Sequence, residues 1–355
     1  MDTTKGFRGI TAPLWPIRYK PLPDELLSSW LVRLAHGHGL KVQTFCNLIF
    51  GNRLQVWNRD IDRLAPSWLV DTLALHTGTS LAAAYGTTLK VYDGILFHNP
   101  RPSGHLNWIL SLKIYHRIRE GFGQQFCPLC LAGDTTPYFR KAWRLSLSTT
   151  CPWHRCMLRD RCHACGAAAS FFRMDFGMEA GESDDETITV SRCHECTANL
   201  AAAPTTAPAV ADADALENLV EMASAVAGRS PPSQRVIDEL AVLRHLCALM
   251  LSTRHSIALR QHLLAVHSLV DPIEPTAKRI PFESLDLATR HVLLQCGVWM
   301  LNDLGSRLGT AVRVGALRYN HLLRDFDGAP DWYRIMVGMA IPHRKGAPTS
   351  RLARA

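Results

Sequence analysis

The 355-residue chain lacks the marks of several large classes of protein. Its opening, MDTTKGFRGITAPLWPIRYK, has neither an uninterrupted apolar core nor a small-residue cleavage site, so it does not read as a secretory leader. Apolar runs elsewhere are too short and too often broken by charge to cross a bilayer. The expectation is a cytoplasmic protein with no membrane partner, whose eleven cysteines are reduced thiols rather than disulfides. Catalytic signatures are missing as well. There is no GxxxxGK[ST] phosphate loop, no HExxH, no GxSxG elbow and no HxE paired with PCxxC. The Asp and Glu residues are scattered and form no visible carboxylate set for two-metal chemistry. The chain therefore reads as a non-enzyme.

What it does have is cysteine pairs. Four short pairs fall in series: Cys127 and Cys130 in FCPLC, Cys151 and His154 in CPWH, Cys162 and Cys165 in CHAC, and Cys193 and Cys196 in CHEC. Two residues separate the members of each pair, the spacing at which a tight turn brings two side chains to one tetrahedral ion. A single CxxC is weak, since a redox dithiol has the same form, but four within seventy residues are a strong signal. Taken in order they make two complete sets: Cys127, Cys130, Cys151 and His154, then Cys162, Cys165, Cys193 and Cys196. Four protein ligands per ion leave no open position for substrate, so the expected cofactor is two structural Zn2+ ions per chain. Cys156, just past His154, is superfluous to this arithmetic and reads as a bystander.

The net charge of +8 is uneven: residues 1–170 hold 20 Lys and Arg against 10 Asp and Glu, and residues 171–355 hold 19 against 21. A basic N-terminal half suits a phosphate backbone or an acidic partner, and a solvated basic face is the alternative. Within the knuckles, Tyr138-Phe139-Arg140-Lys141-Ala142-Trp143-Arg144-Leu145 alternates bulky residues with Arg140, Lys141 and Arg144. Such a segment buries rings and points cations outwards, as nucleic-acid or partner contacts.

In chain order, Pro21 and Pro23 resist helix, Asp24 is placed to cap one, and Leu26, Leu27, Trp30, Leu31 and Leu34 recur on one helical face up to His36-Gly37-His38-Gly39. A second apolar series, Val42, Phe45, Cys46 and Ile49, follows with Lys41, Gln43 and Asn47 as polar readers. This pair reads as a helix-turn-helix-like unit, or as a plain helical packing unit. Another helical pair follows Pro66, with Ser80 as an N-cap. After the knuckles comes an Ala, Pro and Thr-rich stretch, then helices over 216–227, 234–252, 256–269 and 283–304 with Cys247 and Cys296 in their core. Residues 310–326 carry Arg313, Arg318 and Arg324 beside apolar positions, as a basic recognition helix or the charged outside of a closing one. Asp175, Glu179, Glu182, Asp184, Asp185 and Glu186 form an acidic loop, and the tail HRKGAPTSRLARA is basic and reads as disordered.

The fold class expected is mainly α with small zinc-ribbon or knuckle β elements. It would comprise an N-terminal helical, helix-turn-helix-like domain over 1–120, tandem zinc fingers over 121–200, a linker at 201–214, a C-terminal helical domain over 215–340 and a basic tail at 341–355.

Two stretches, PLPDELLSSWLVRLA at 21–35 and FCPLCLAGDTTPYFRKAWRLSLSTTCPWHRCMLRDRCHAC at 126–165, resemble the TniQ family of transposon target-selection proteins, over roughly residues 15–200. The resemblance implies the eight Cys and His residues as zinc ligands, and a non-enzymatic adaptor that joins a target-recognition module to the transposon's AAA+ ATPase regulator (TnsC/TniB-like) and transposase. That module would be an RNA-guided CRISPR effector complex with its guide RNA, or a DNA-bound factor. The alternative is a longer, TnsD-like selector that reads target DNA itself. The short apolar helices carrying Trp30, Leu31, Phe45 and Phe50 need a covering surface, either from this chain or from a second copy in a homodimer.

Overall fold

The computed structural model describes residues 13–52, 54–98, 101–115, 118–119, 121–174, 190–228, 230–251, 257–274 and 280–340. The acidic loop of 175–186 and the basic tail 341–355 lie outside them. The fold is essentially all helical.

Five helices build the N-terminal part: α1 (Leu27–Gly37), α2 (Val42–Phe50), α3 (Ile61–Leu64), α4 (Ser67–Thr77) and α5 (Leu81–Tyr85). The apolar spacing that marks α1 predicts one buried face, yet every residue from Leu27 to Ala35 is buried, including Ser28, Ser29 and Arg33. It is the central rod of this half, and its polar residues are satisfied internally. Arg33 grips Glu25 through Nε and Nη2, each at 2.7 Å, and Ser29 donates to the same carboxylate at 3.0 Å.

The start of α1 differs from expectation. Asp24 does not cap it. That residue sits in left-handed backbone at φ 58°, and its carboxylate accepts from the Ala142 amide at 3.1 Å and pairs with Lys141 at 3.2 Å. The N-cap position falls on Leu26, which has no side-chain acceptor. Asp62 of α3 supplies the acceptor instead, taking the Ser28 amide at 2.8 Å and the Ser28 hydroxyl at 2.8 Å. Elsewhere local signals suffice. Helix α1 ends at Gly37, with Gly39 at φ 68°, and Ser80 caps α5 by accepting from the Ala83 amide.

The zinc-ribbon or knuckle β elements expected in residues 121–200 are absent among the described residues. The strand pair that exists, β1 (Ile114–Tyr115) with β2 (Ile118–Arg119), precedes that region. Within it the chain forms isolated bridges: Phe126 with Arg159, Thr150 with Met157, Arg161 with Ala168 and Arg192 with Asn199. Each stays a single pair among the described residues, and the regular pieces of this region are instead helical: α6 (Pro128–Gly133) and the 3-10 turns Lys141–Arg144, Phe171–Arg173 and Leu200–Ala202.

The C-terminal part holds α7 (Ala213–Ala227), α8 (Gln234–Met250), α9 (Ile257–Val266), α10 (Leu287–Asn302), α11 (Leu304–Arg313), α12 (Tyr319–Leu323) and α13 (Asp331–Ala340). Helix α10 packs on α7 and α8. Gly297 makes the second contact close, since a Cβ there would lie 2.7 Å from a Leu243 methyl. Cys247 and Cys296 are fully buried between these helices. The helix expected over roughly 283–304 is α10, which starts at Leu287 after Asp286 caps it by accepting from the Thr289 amide, and the one suggested over 310–326 is broken at Gly315, φ 76°.

Buried polar links join the C-terminal helices to the rest. Gln125 donates to three carbonyls of the knuckle region, those of Trp143, Leu145 and Ser148, and accepts from Arg290 of α10 at 2.7 Å. Glu283 accepts from the Trp108 amide at 2.8 Å and pairs with Arg244 at 2.7 Å. The stretch between knuckles and α7 lies against α10, where Gln295 donates to the Ala209 carbonyl at 2.8 Å.

Asp62 is the electrostatic weak point of this design. Burial, and then the neighbouring Asp60 charge, raise its pKa from 3.8 to about 6, against the opposing pull of Arg144. A raised carboxylate pKa gives stability that is full below pH 3.8 and is lost as pH rises through about 6. Asp62→Asn should therefore gain on the wild type between those limits, by up to about 3 kcal/mol. Urea unfolding midpoints at intervals from pH 4 to pH 7 check this, and a difference that does not vary with pH would contradict it.

Candidate metal centres and the surface around them

Three of the four cysteine pairs use one turn. The first cysteine's amide donates to the carbonyl five residues on: Cys151 to Cys156 at 2.8 Å, Cys162 to Ala167 at 2.8 Å and Cys193 to Ala198 at 2.9 Å. The residue after the second ligand returns a bond to the first cysteine's carbonyl, from Arg155 at 2.9 Å, Gly166 at 3.1 Å and Thr197 at 2.9 Å. That residue is left-handed in each case, at φ 49°, 75° and 59°. Glycine serves at one position. Arg155 and Thr197 hold the same conformation at a cost of about 1 kcal/mol or more each, so the surrounding structure enforces it. The remaining pair is helical, with Cys127 at the N-cap of α6 and Cys130 one turn later.

These turns bring the eight residues into two clusters. The ligand atoms of Cys127, Cys130, Cys151 and His154 lie within 4.8 Å of one another, as do those of Cys162, Cys165, Cys193 and Cys196. In the first cluster, Cys130 and Cys151 sulfurs are 3.6 Å apart, and His154 Nδ1 is 3.5 Å from Cys127, 3.4 Å from Cys130 and 3.5 Å from Cys151. In the second, Cys162 to Cys196 and Cys165 to Cys193 are both 3.6 Å. A tetrahedral ion with metal–sulfur bonds of about 2.3 Å and metal–nitrogen bonds of about 2.0 Å has edges of about 3.5–3.8 Å, so both clusters fit one. All eleven cysteines are free thiols.

Proton chemistry agrees with the geometry. Hydrogen bonds from Cys130 and Cys151 draw the Cys127 thiol down to about 3, and the same sharing drives Cys130 far up. In the second cluster burial pushes Cys193 up to about 12, while the Ala198 amide lowers Cys196. A divalent cation bound by such thiols favours their thiolate forms. Cys156, superfluous by sequence spacing, has its sulfur 3.8 Å from that of Cys127, yet it falls outside the four-member set.

The cations expected to point outwards from residues 140–144 do not. Arg144 has no exposure: its guanidinium reaches Asp60 at 2.5 Å and Asp62 at 3.3 Å and donates to the Leu110 carbonyl at 3.0 Å. Lys141 is buried on Asp24, and Arg140 pairs with Asp134 at 2.7 Å beneath aromatic rings. Their rings and cations are both inside, because the 3-10 turn Lys141–Arg144 replaces the extended segment in which side chains would alternate. The carboxylates that hold them, Asp24, Asp60, Asp62 and Asp134, were invisible as partners, being far away in sequence or on another turn. Arg313, Arg318 and Arg324 are exposed, at the end of α11 and on either side of α12. Of the polar residues near α2, Lys41 and Asn47 are exposed and Gln43 donates to Asn47 at 2.7 Å.

The arrangement is a helical protein whose described middle region is gathered on two Cys/His clusters with the spacing of tetrahedral metal sites. Residues 16–158 match the TniQ family model. The match runs from just before α1 to just past the four members of the first cluster. No curated protein matches the chain. Among the described residues no helix is long and apolar enough to cross a membrane.

Cobalt(II) added to the metal-free chain should give thiolate-to-metal charge-transfer absorption that saturates at two equivalents, one per cluster. Cys151→Ser should remove about half of that signal and Cys193→Ser the other half. Saturation at one equivalent in the wild type would contradict the two-cluster arrangement.

Proposed function

We propose that the chain is the target-selection adaptor of a DNA transposon. It would link a target-recognition module to the AAA+ ATPase regulator and the transposase, with two structural Zn2+ ions held by the eight cluster residues. The observation that carries this is the TniQ match over residues 16–158. Zinc is favoured over other ions because one donor set is three thiolates with an imidazole and the other is four thiolates, both in tetrahedral spacing and with no oxygen ligand. The division into a helical N-terminal part, a cluster region and a C-terminal helical part belongs to the same proposal. The targeting module is an RNA-guided effector complex or a DNA-bound factor, and a homodimer is compatible with either.

Burial of Arg140, Lys141 and Arg144 leaves Arg313, Arg318 and Arg324 as the site residues from the sequence that remain available to phosphates or to an acidic partner. Their exposure supports contact with target DNA as a backbone interaction in this adaptor. The second reading, a selector that recognises sequence by itself, would need a footprint on one short duplex sequence by the protein alone.

Elemental analysis of the purified chain should give two zinc ions per chain, and one or none in a folded sample would sink the zinc assignment. Deleting the protein should abolish targeted insertion while leaving the transposase's strand chemistry intact in a target-independent assay. Pull-down against the ATPase regulator and the candidate targeting complex is the direct check, and binding to neither by zinc-loaded protein would remove the adaptor reading.

A further inference from the structure

The first cluster has one sulfur more than a tetrahedral ion can use. Cys156 Sγ stands 3.8 Å from Cys127 Sγ, in hydrogen-bonding contact. It nevertheless lies outside the set of donors that are all within 4.8 Å of one another, and Cys127, Cys130, Cys151 and His154 already fill four positions. Nor is it a surface thiol: Cys156 is 5% exposed and Cys127 is fully covered.

The three matching turns show what this position does. The residue whose carbonyl closes the turn, five after the first cysteine, is Cys156 in CPWH, Ala167 in CHAC and Ala198 in CHEC. In the two alanine turns its amide hydrogen-bonds the sulfur of the second cysteine, Cys165 in one and Cys196 in the other. A metal-bound thiolate carries negative charge and only lone pairs, so a donor at this place stabilises it. In CPWH the second member is His154, which has no sulfur for the amide to reach. The FCPLC pair cannot supply the same donor for itself, because the residue five after Cys127, Ala132, lies within α6. The side chain of Cys156 takes over. Where the other turns carry a methyl, this one carries a buried thiol in contact with Cys127 of the other half-site.

We propose that Cys156 is a positioning residue of the first metal centre, its S–H donating a hydrogen bond to the Cys127 thiolate and holding that sulfur on the ion. The direction of the bond follows from the chemistry: a metal-bound thiolate can only accept, and Cys156 is a free thiol. The role rests on the reading that the first cluster binds a metal, and it belongs to a residue outside the ligand set.

The test uses the full chain, stripped of metal and titrated with cobalt(II) against a competing chelator. The two centres are told apart by their ligand-field bands, three sulfurs and a nitrogen in one and four sulfurs in the other. Cys156→Ala installs the residue that the other two turns use, and Cys156→Ser keeps a hydroxyl donor. Cys156→Ala should still take two equivalents, with cobalt held about tenfold more weakly at the first centre and unchanged at the second. Its thiolate-to-cobalt charge-transfer band should move to lower energy, because a sulfur without its hydrogen bond gives up electrons more readily. Cys156→Ser should bring both affinity and band position most of the way back. The proposal is overturned if Cys156→Ala matches the wild type in both readouts, or if the alanine and serine variants weaken the centre alike, as lost packing would. It is also overturned if either variant takes only one equivalent, which would make Cys156 a ligand. A wild type that saturates at one equivalent removes the two-centre metal reading itself, whereas two equivalents with an unchanged Cys156→Ala remove only the role of Cys156.

Discussion

The first helix of the fold begins without an acceptor of its own, and the ion cluster that supplies one ties three distant pieces of chain together. Asp62 takes the Ser28 amide and hydroxyl, and Arg144 balances the charges of Asp62 and Asp60 from a position with no access to solvent. Removing Arg144 strands the two carboxylates: a buried carboxylate without its guanidinium is penalised by several kcal/mol. The α1 start, the α3 turn and the 3-10 turn at 141–144 are therefore mutually dependent. The same surroundings include the Leu26 amide on the Phe139 carbonyl and the Phe139 amide on the Ser29 hydroxyl, so the cluster region is built onto α1 rather than appended to it.

The clusters answer a different need. The described residues between 126 and 204 contain little regular structure, and a chain of that kind buries too few backbone hydrogen bonds to hold itself. Repeating one tight turn three times, at the price of left-handed backbone at Arg155 and Thr197, places donors for two ions and converts local strain into fixed geometry. The aromatic contacts around the first cluster then extend this order outwards: Phe139 stacks on Phe171 at 4.2 Å, and Phe172 on Trp57 at 4.7 Å.

Local signals were legible in the sequence wherever the determining residues are neighbours. The clustering Cys/His pairs, the C-terminal end of α1, the start of α5 and the core positions of Cys247 and Cys296 all depend on spacing within a few residues. Contacts across large separations were not legible. Asp24 looks like a helix cap because Asp before an apolar run usually is one, yet Lys141 and the Ala142 amide, more than a hundred residues later, claim it. Arg140, Lys141 and Arg144 look like surface cations because cations usually are, and only the fold reveals the carboxylates waiting for them. The β elements were inferred from what CxxC pairs commonly sit on, and the bridges that replace them depend on where the chain goes next.

The burial of α1 has a consequence for synthesis. Trp30, Leu31 and Leu34 are fully covered in the finished fold, and the segment that closes over their helix, residues 139–144, lies about 110 positions downstream. At a ribosomal rate of about 5–20 residues per second, roughly 5–20 s pass between the emergence of α1 and that of its cover. During that interval the nascent chain presents to solvent a helix whose every residue from Leu27 to Ala35 ends up buried, a natural substrate for a chaperone that holds exposed hydrophobic segments.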